Sequence, residues 1–348
     1  MLGILLCLLQ VLSCKKDSNE NLQQRSYSGG ILSFSVSGEL IDAVIDTSVN
    51  AITITLPHTL NLHNLAATFT LASGIRATVN NAPVSSGSGL DFSNGIVLTV
   101  TSDDKKYSRA YRVIIQTDLV YFGLTGNIVA EKSLDKDYDY YRDQFDGSTY
   151  QAINCGPTVS TMAIKWADST FAGSPAGARL DIPENGGWWY TSDVQNYLTS
   201  NGINNAIVPL SNLDSLVKVN IDNNNLMILC LDMSYVPYNG VEDQHIQKFY
   251  QTEGTGWGHF LLVKGYKQTT TNFYLEIYDP YSDLTIYKYL LNKQLKGKNR
   301  YYMDGGIKAA TDIWWQYTIV VAPKGQQVVT ASRLHVNSLQ KIPVARGR

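Results

Sequence analysis

The middle of the chain contains the stretch Tyr150-Gln-Ala-Ile-Asn-Cys-Gly-Pro-Thr-Val-Ser-Thr-Met-Ala-Ile-Lys-Trp166, from which both the fold and the chemistry can be predicted. Its one cysteine, Cys155, stands directly before a glycine and Pro157. Proline is tolerated in the first turn of a helix because its missing N–H would be unpaired there. The stretch therefore predicts a helix with Cys155 at its N-terminus. Apolar side chains then recur on one helical face: Val159, Met162, Ala163 and Trp166.

A cysteine at a helix N-terminus is set up for chemistry. Free N–H groups and the positive end of the helix dipole stabilise a thiolate and lower the pKa of the thiol. A buried structural cysteine does not need this setting, so we interpret Cys155 as a nucleophile. Cys230 is different, because it lies in the continuous apolar run Leu226–Leu231, which is typical of a buried strand.

Composition bounds the class of protein. The 348 residues leave room for about two domains, and the formal net charge is only −2, so no nucleic-acid partner is predicted. Two of the four cysteines lie within the first fourteen residues, and no disulfide framework can be deduced from the spacing. No cofactor is predicted.

Residues 1–14 are predicted to be a lipoprotein signal peptide. Their apolar run is too short to span a bilayer, and it ends in Val11-Leu-Ser-Cys14, which resembles a bacterial lipobox. That resemblance implies acylation of Cys14, a membrane anchor, and a cell-envelope location at the outer membrane or the cell surface. The basic residues expected before the apolar run are missing. An ordinary secretory signal with an incidental cysteine is the alternative. Residues 15–29 are polar and aperiodic, which predicts a flexible tether.

Residues 30–118 are predicted to form an all-β sandwich. Short runs with strand alternation recur between turn residues, as in Ile52-Thr-Ile-Thr-Leu56 and Tyr111-Arg-Val-Ile-Ile115. Together with Asp91-Phe-Ser-Asn94, they resemble the immunoglobulin-like modules near the N-terminus of many Bacteroidota lipoproteins. The resemblance implies a spacer or binding module. The seven predicted strands are Ile31–Val36, Ala43–Ile45, Ala51–Leu56, Ala66–Leu71, Ala77–Val79, Gly95–Val100 and Ala110–Gln116.

A second unit is predicted over residues 125–323, followed by a polar, loosely ordered tail over residues 324–348. The Asp- and Tyr-rich segment from Leu119 to Tyr141 is interpreted as a solvated linker between the two units.

A base for Cys155 is predicted on a β-hairpin. The strand-like runs Gly258–Tyr266 and Phe273–Pro280 flank a polar turn. If the hairpin is centred near residue 269, paired residue numbers sum to 538 and His259 opposes Asp279 on an otherwise apolar face. Opposed Cβ atoms lie roughly 4.5–5.5 Å apart. The hairpin therefore gives a histidine the carboxylate that fixes its tautomer and stabilises its imidazolium form.

Other polar residues receive simpler interpretations. His245 lies in a polar segment and is predicted to be on the surface. Asp232 and Glu242 lie near it, but no spacing gathers three ligands, so no metal site is predicted.

The segments Asn154-Cys-Gly-Pro-Thr158, Gly258-His-Phe260 and Tyr278-Asp-Pro-Tyr281 resemble the papain-like cysteine peptidases related to the bacteriocin-processing domains of ABC exporters. The resemblance covers most of residues 140–323. It implies an α+β papain-like fold with an antiparallel sheet, in which Cys155 is the nucleophile, the histidine is the base and the aspartate orients it.

The same family uses a glutamine upstream of its cysteine as an oxyanion donor. Gln144, in Asp143-Gln-Phe-Asp146, matches the family element and is preferred, whereas Gln151 is closer to the cysteine in sequence. The backbone N–H of Cys155 would be the second donor.

The resulting prediction is a multidomain protein, with an immunoglobulin-like sandwich before a papain-like peptidase domain. Its function would be that of a secreted, lipid-anchored cysteine peptidase acting on a peptide or protein substrate through a thioester. Two alternatives remain open: a peptidoglycan amidase or endopeptidase of the same clan, and a surface binding lipoprotein that has a peptidase-like fold and no turnover.

Overall fold

A computed structural model describes residues 30–182, 187–314 and 316–328 of the chain. The described residues divide into two compact units, one ending at Gln116 and the other beginning at Thr117. Residues 1–29, with the predicted signal peptide, Cys14 and tether, lie outside the described part, as do residues 329–348 of the predicted tail. Within the described part, no helix combines the length and the hydropathy needed to cross a bilayer.

The described part of the first unit contains nine strands in two sheets, with the orders β1–β4–β7 and β2–β3–β9–β8–β5–β6. Alternate residues point inward, so that Ile52, Ile54, Leu98 and Val100 are fully buried in a core to which both sheets contribute. The strands are β1 (Ile31–Val36), β2 (Val44–Asp46), β3 (Ala51–Leu56), β4 (Leu65–Leu71), β5 (Ile75–Val79), β6 (Ala82–Pro83), β7 (Ser88–Leu90), β8 (Ile96–Ser102) and β9 (Ser108–Thr117).

Every strand predicted for this unit overlaps an observed strand. The two strands that alternation did not predict, β6 and β7, have only two and three residues, too few to show a period of two. The immunoglobulin-like type of the unit stays a prediction.

The second unit is a mixed α/β body around one seven-stranded antiparallel sheet. The order is β11–β16–β12–β13–β14–β15, and β10 also pairs with β13. Its strands are β10 (Ile128–Ser133), β11 (Asn205–Pro209), β12 (Leu226–Asp232), β13 (Gly258–Thr269), β14 (Phe273–Tyr278), β15 (Arg300–Met303) and β16 (Tyr317–Val321). Its helices are α1 (Asp118–Tyr121), α2 (Cys155–Ala167), α3 (Pro175–Asp181), α4 (Thr191–Ser200), α5 (Leu213–Asp222) and α6 (Asp304–Trp314).

Helix α2 packs against β13 and α4, and nearly every one of its residues is buried. The helix is therefore enclosed on most sides, not only along the apolar face seen in the sequence. Gly156 is required at its start, because an added Cβ would lie 2.7 Å from Cβ of Trp189. This packing fixes the helix N-terminus, and with it Cys155, relative to the sheet.

The segment interpreted as a solvated linker belongs to the second unit. Residues 128–133 form β10 and pair with β13, and Leu134 and Tyr140 are buried after it. Asp135 accepts a hydrogen bond of 2.7 Å from the fully buried amine of Lys264. Asp135, Lys136 and Asp137 are exposed, as predicted, but the linker interpretation was wrong because residues 128–133 join the sheet and Asp135 also partners a lysine inside it.

The hairpin that carries the predicted base has a different register from the one expected. At the end of the hairpin that carries His259, β13 and β14 pair Leu262 with Tyr278 and Val263 with Ile277, so paired numbers sum to 540; beyond a bulge before Gly265 they sum to 541. On the His259 side of the bulge, a shift of two residues keeps each side chain on its own face. Both strands are buried along almost their whole length, so hydrophobic alternation could not distinguish the two registers.

Two further predictions differ from the structure. His245 is buried rather than on the surface, with its ring stacked between Phe122 and Tyr287. Its sequence neighbours are polar, so the aromatic partners supplied by distant parts of the chain could not be foreseen. The tail predicted from residue 324 begins in contact with the unit, since Lys324 pairs with Asp168.

Candidate active site

Cys155 is the first residue of α2 and is 6% exposed. Its sulfur is hydrogen-bonded by the ring of His259 and by the backbone N–H groups of Phe260 and Gly156. Burial raises the pKa of the thiol, but the hydrogen bond and the charge of His259, together with the two N–H groups, outweigh it. The pKa of Cys155 therefore lies below its ordinary value, in the direction that favours the thiolate.

His259 lies at the start of β13 and is buried between a sulfur and a carboxylate. Its Nε2 is 2.8 Å from Oδ1 of Asp279, which leaves Nδ1 as the nitrogen that meets Cys155. Burial alone would lower the pKa of the imidazole, but the charge and hydrogen bond of Asp279, helped by Cys155, raise it above its ordinary value. The ring is therefore held in its protonated form beside the sulfur.

Asp279 follows directly after β14 and is fully buried. If the observed register is extended, Asp279 opposes Leu261, so His259 meets it along a diagonal that a long side chain can bridge. The predicted contact therefore forms although the predicted register is wrong.

Three further donors hold the Asp279 carboxylate. Oδ2 accepts hydrogen bonds from the hydroxyls of Tyr302 at 2.6 Å and Tyr250 at 3.0 Å, and Oδ1 accepts one from the backbone N–H of Tyr281 at 2.9 Å. Burial raises the pKa of the carboxyl, but the charge of His259 and these donors lower it below its ordinary value. A buried carboxylate is costly unless it is paired and hydrogen-bonded, and Asp279 meets both conditions.

The three side chains thus form one coupled site. The sulfur tends to lose its proton and the imidazole tends to keep one, so the combination favours a thiolate–imidazolium pair. Because the two groups interact strongly, their titration belongs to the pair and not to either residue alone.

The two candidate oxyanion donors lie on the segment before Cys155. Gln144 is 2% exposed, and its Nε2 donates to the carbonyls of Gln151 and Ala152 at 3.2 and 3.4 Å. Its Oε1 is buried and finds no hydrogen-bond partner among the residues that the structure describes. The side chain of Gln151 instead accepts a hydrogen bond from the backbone N–H of Gly147. Gln144 is thus beside the turn that leads into Cys155, with long hydrogen bonds to it, whereas Gln151 braces that turn from outside.

Several site residues were missed by the sequence reasoning. Tyr250 and Tyr302 come from different parts of the chain, and nothing in their local sequence distinguishes them from the other tyrosines. Asp232, considered only as a metal ligand, anchors the loop before His259: its carboxylate accepts from the backbone N–H groups of Gly256 at 2.7 Å and Trp257 at 2.9 Å. The position of Asp232 at the end of a buried strand is the one signal that could have suggested a role at the sheet edge.

Among the described residues, no group of three or more histidine, cysteine, aspartate or glutamate side chains is arranged to hold a metal ion.

Comparison with known proteins gives one family match and several remote structural likenesses. Residues 31–115 match the family model described as SGBP, N-terminal. A comparison with curated protein sequences finds no match.

Two solved peptidase structures resemble part of the chain. The peptidase domain of Streptococcus ComA, a bi-functional ABC transporter involved in a quorum-sensing pathway, is 15% identical, over 53% of this chain and 99% of that chain, with a TM-score of 0.33. A Bacillus anthracis protein described as a C39-like peptidase is 11% identical, over 57% of this chain and 98% of that chain, with a TM-score of 0.33.

A Bacteroides fragilis protein described as secreted is 16% identical, over 25% of this chain and 93% of that chain, with a TM-score of 0.20. The chain is thus similar to these proteins at a level too low to assign an activity, and the functional argument is built on the site itself.

Proposed function

We propose that the second unit is a cysteine peptidase that hydrolyses peptide bonds through Cys155, His259 and Asp279. The observation that carries the proposal is the buried imidazole of His259, which is hydrogen-bonded on one side to a sulfur at a helix N-terminus and on the other to a buried carboxylate. A nucleophile, a base and a group that orients the base are the elements of covalent acyl transfer.

The reaction proceeds in two stages. The thiolate of Cys155 attacks the carbonyl carbon of the substrate, a C–S bond forms, and the carbonyl π electrons move to oxygen. As the tetrahedral intermediate collapses, the C–N bond breaks and the imidazolium of His259 gives its proton to the leaving amine. His259 then takes a proton from water, the resulting hydroxide attacks the thioester, and the C–S bond breaks to restore the thiolate.

Two donors are proposed for the oxyanion: the backbone N–H of Cys155 and the side-chain amide of Gln144. Gln144 is buried beside the turn before Cys155, and the hydrogen bonds from its Nε2 to that turn are long. The substrate oxyanion is a stronger acceptor than the two carbonyls, so Nε2 could donate to it instead. Removing one such donor typically costs about 10²–10³-fold in rate. Gln144→Ala is therefore expected to fall in that range, and Gln151→Ala to have little effect.

The test is hydrolysis of a mixed peptide library by the purified full chain, followed by mass spectrometry. Wild type should cleave peptides, Cys155→Ala should not, and Cys230→Ala should retain activity, because that second buried cysteine lies in β12 and is not part of the site. The thermal transition of Cys155→Ala should be nearly unchanged. Cleavage by Cys155→Ala would refute the proposal. A wild-type protein that cleaves no peptide under conditions where Cys155 is reactive would refute it as well.

A cell-wall hydrolase is the second enzyme reading. The same three residues would serve for an amide bond in murein, so parallel incubation with purified peptidoglycan distinguishes the two substrates. Release of peptides from murein without cleavage of the library would replace the peptidase proposal with that of an amidase or endopeptidase.

The non-enzymatic alternative is a surface binding protein that has a peptidase-like fold and no turnover. The match of residues 31–115 to SGBP, N-terminal, favours a binding or presenting role for the first unit and an envelope location for the whole chain. We propose that this unit presents the peptidase at the cell envelope, attached through acylated Cys14. Incorporation of labelled palmitate by wild type but not by Cys14→Ala tests the anchor.

A further inference from the structure

Arg179 of α3 lies against the turn that leads into Cys155. It is 7% exposed, although it carries a full charge. Its Nη2 donates to the carbonyl of Ile153 at 2.9 Å, and its Nε donates to the side-chain oxygen of Asn154. On the other side, Nη1 donates to the carbonyl of Gly187 at 2.8 Å. The guanidinium thus binds the two residues immediately before the nucleophile and connects them to the carbonyl of Gly187.

These contacts fix the peptide that joins Asn154 to Cys155. The side chain of Asn154 is held at both ends, because its Nδ2 donates to the hydroxyl of Ser148 at 3.1 Å while its oxygen accepts from Arg179. Its carbonyl accepts the first hydrogen bond of α2, from the backbone N–H of Thr158 at 2.9 Å. The other end of that peptide is the N–H of Cys155. Holding Asn154 therefore sets the direction of this N–H.

The chemistry of arginine suits such a task. A guanidinium is planar and presents several N–H groups in a fixed fork, so it can hold a carbonyl and an amide oxygen together, whereas a lysine amine is a single flexible point. The ring of Tyr150 lies 4.8 Å from the guanidinium carbon, which adds a packing contact on the same turn.

We propose that Arg179 is a positioning residue for the oxyanion hole. It does not touch the substrate; it acts through Ile153 and Asn154, so that the backbone N–H of Cys155 points at the developing oxyanion. The inference rests on the proposed function. It adds a residue that neither the local sequence nor the resemblance indicated.

Two reactions of the Cys155 sulfur distinguish an effect of Arg179 on the oxyanion hole from an effect on the thiolate or on the fold. Iodoacetamide alkylates a thiolate by displacing iodide, and no oxyanion forms. A peptide aldehyde such as acetyl-leucyl-leucyl-argininal adds the thiolate to its carbonyl carbon, and the aldehyde oxygen takes the negative charge that the hole must stabilise. Protection of Cys155 from iodoacetamide by the aldehyde therefore reports on the oxyanion donors, while alkylation alone reports on the thiolate.

The experiment compares the full chain with Arg179→Met, Arg179→Lys and the control Arg142→Met. Arg142 is partly buried and donates to the neighbouring carbonyl of Tyr141 at 2.7 Å, without contact to Ile153 or Asn154 in the described structure. The charge of Arg179 also acts on the Cys155 sulfur. Arg179→Lys keeps that charge, so we expect alkylation within about 2-fold of wild type and more aldehyde for equal protection. Arg179→Met also loses the charge, so its alkylation should fall somewhat, and it should need at least about 10-fold more aldehyde for equal protection, as for a weakened oxyanion donor. Arg142→Met should match wild type.

The outcomes are distinct. An equal loss of alkylation and of protection would mean that Arg179 acts on the thiolate or the fold, and unchanged protection would mean that it has no role at the hole; either overturns the inference. Wild type that is alkylated but never protected would show that the Cys155 N–H is not a donor, and would also overturn it. Slow alkylation of wild type at neutral pH would instead refute the proposed function. If Arg179→Met does not fold, Arg179→Lys carries the comparison.

Discussion

Two histidines of the second unit, His259 and His245, are both buried, but their surroundings differ. His259 meets a carboxylate and a sulfur, and its pKa is raised. His245 is stacked with ring centroids 3.7 Å from Phe122 and 4.0 Å from Tyr287, and its Nε2 is buried without a hydrogen-bond partner.

Burial, with a smaller contribution from the charge of Arg300, holds the pKa of His245 well below its ordinary value. Burial by itself therefore does not make a base. The anionic neighbour decides whether a buried imidazole keeps its proton, and within the described structure His259 has such a neighbour and His245 does not. A functional role can be assigned to His259 and a packing role to His245 on that ground.

The largest expected effect on hydrolysis comes from substituting each of the two histidines in turn. His259→Ala removes the proton donor and acceptor, so peptide hydrolysis should fall by at least about 10³-fold. His245→Phe keeps a ring between Phe122 and Tyr287, and hydrolysis should stay within about 2-fold of wild type. Initial rates on one cleaved peptide measure both. A comparable loss of hydrolysis in the two variants would mean that the surroundings of His259 and His245 do not give the two residues different roles.

The carboxylate beside His259 can be neutralised without changing its size. Asp279→Asn should lower hydrolysis by about 10²-fold, at the low end of the range for acid–base catalysis, because the imidazolium loses its stabilising charge while the base itself remains. The pKa of His259 should fall, so the high-pH limb of the rate profile should move to lower pH. A rate profile recorded from pH 5 to pH 10 tests this, and an unshifted high-pH limb would show that Asp279 does not set the protonation of the base.

The same comparison predicts how stability depends on pH. His245 has a folded-state pKa below its unfolded value, so the unfolded chain binds more protons below about pH 6.5. Stability should fall as the pH drops from 6.5 to 5, by at most about 1.4 kcal/mol per unit from this residue. His259 does not contribute in that window, because its raised pKa stabilises the fold below pH 6.5 and loses effect only as the pH rises through the folded value.

Urea unfolding of wild type and His245→Phe at pH 7 and pH 5 isolates this contribution. The difference in the free energy of unfolding between the two pH values should be smaller in His245→Phe. An equal difference in the two proteins would mean that His245 accepts a proton in the fold.

The smallest effect is expected from two tyrosine hydroxyls. Tyr302→Phe removes one of the four hydrogen bonds to the Asp279 carboxylate, and hydrolysis should fall by roughly 3–10-fold, as for a loss of about 1 kcal/mol. Tyr287→Phe removes a hydroxyl from the ring that stacks on His245, and hydrolysis should not change. A larger loss for Tyr287→Phe than for Tyr302→Phe would reverse the assignment of the two regions.

Local sequence was enough to predict the features that depend on interactions between residues close together in the chain. The proline after Cys155 and the apolar spacing behind it predicted the start of α2, and alternation predicted the longer strands of the first unit. His259 and Asp279 were paired because each ends a run on the same face. Face is conserved under a two-residue slip, which is why the contact was predicted although the register was not.

The sequence did not predict contacts between distant segments, because the residues that make them have no distinguishing feature in their local sequence. Asp135, one of the two acids that partner Lys264, lies in a segment that was predicted to be solvent-exposed, and the hydroxyl of Tyr302 reaches Asp279 across neighbouring strands. His245 is buried by rings from two other segments. In each case a polar side chain is stabilised in the interior by partners from distant segments, and hydrophobic periodicity contains no information about such contacts.

The central claim is that the sulfur of Cys155 and the ring of His259 form a thiolate–imidazolium pair. The most direct measurement is the rate of Cys155 alkylation by iodoacetamide as a function of pH, in wild type and in His259→Ala. The account predicts that wild type already reacts fast at neutral pH, and that His259→Ala reacts slowly there and gains reactivity only as the pH approaches the ordinary range of a thiol. Superimposable pH profiles for the two proteins would contradict it.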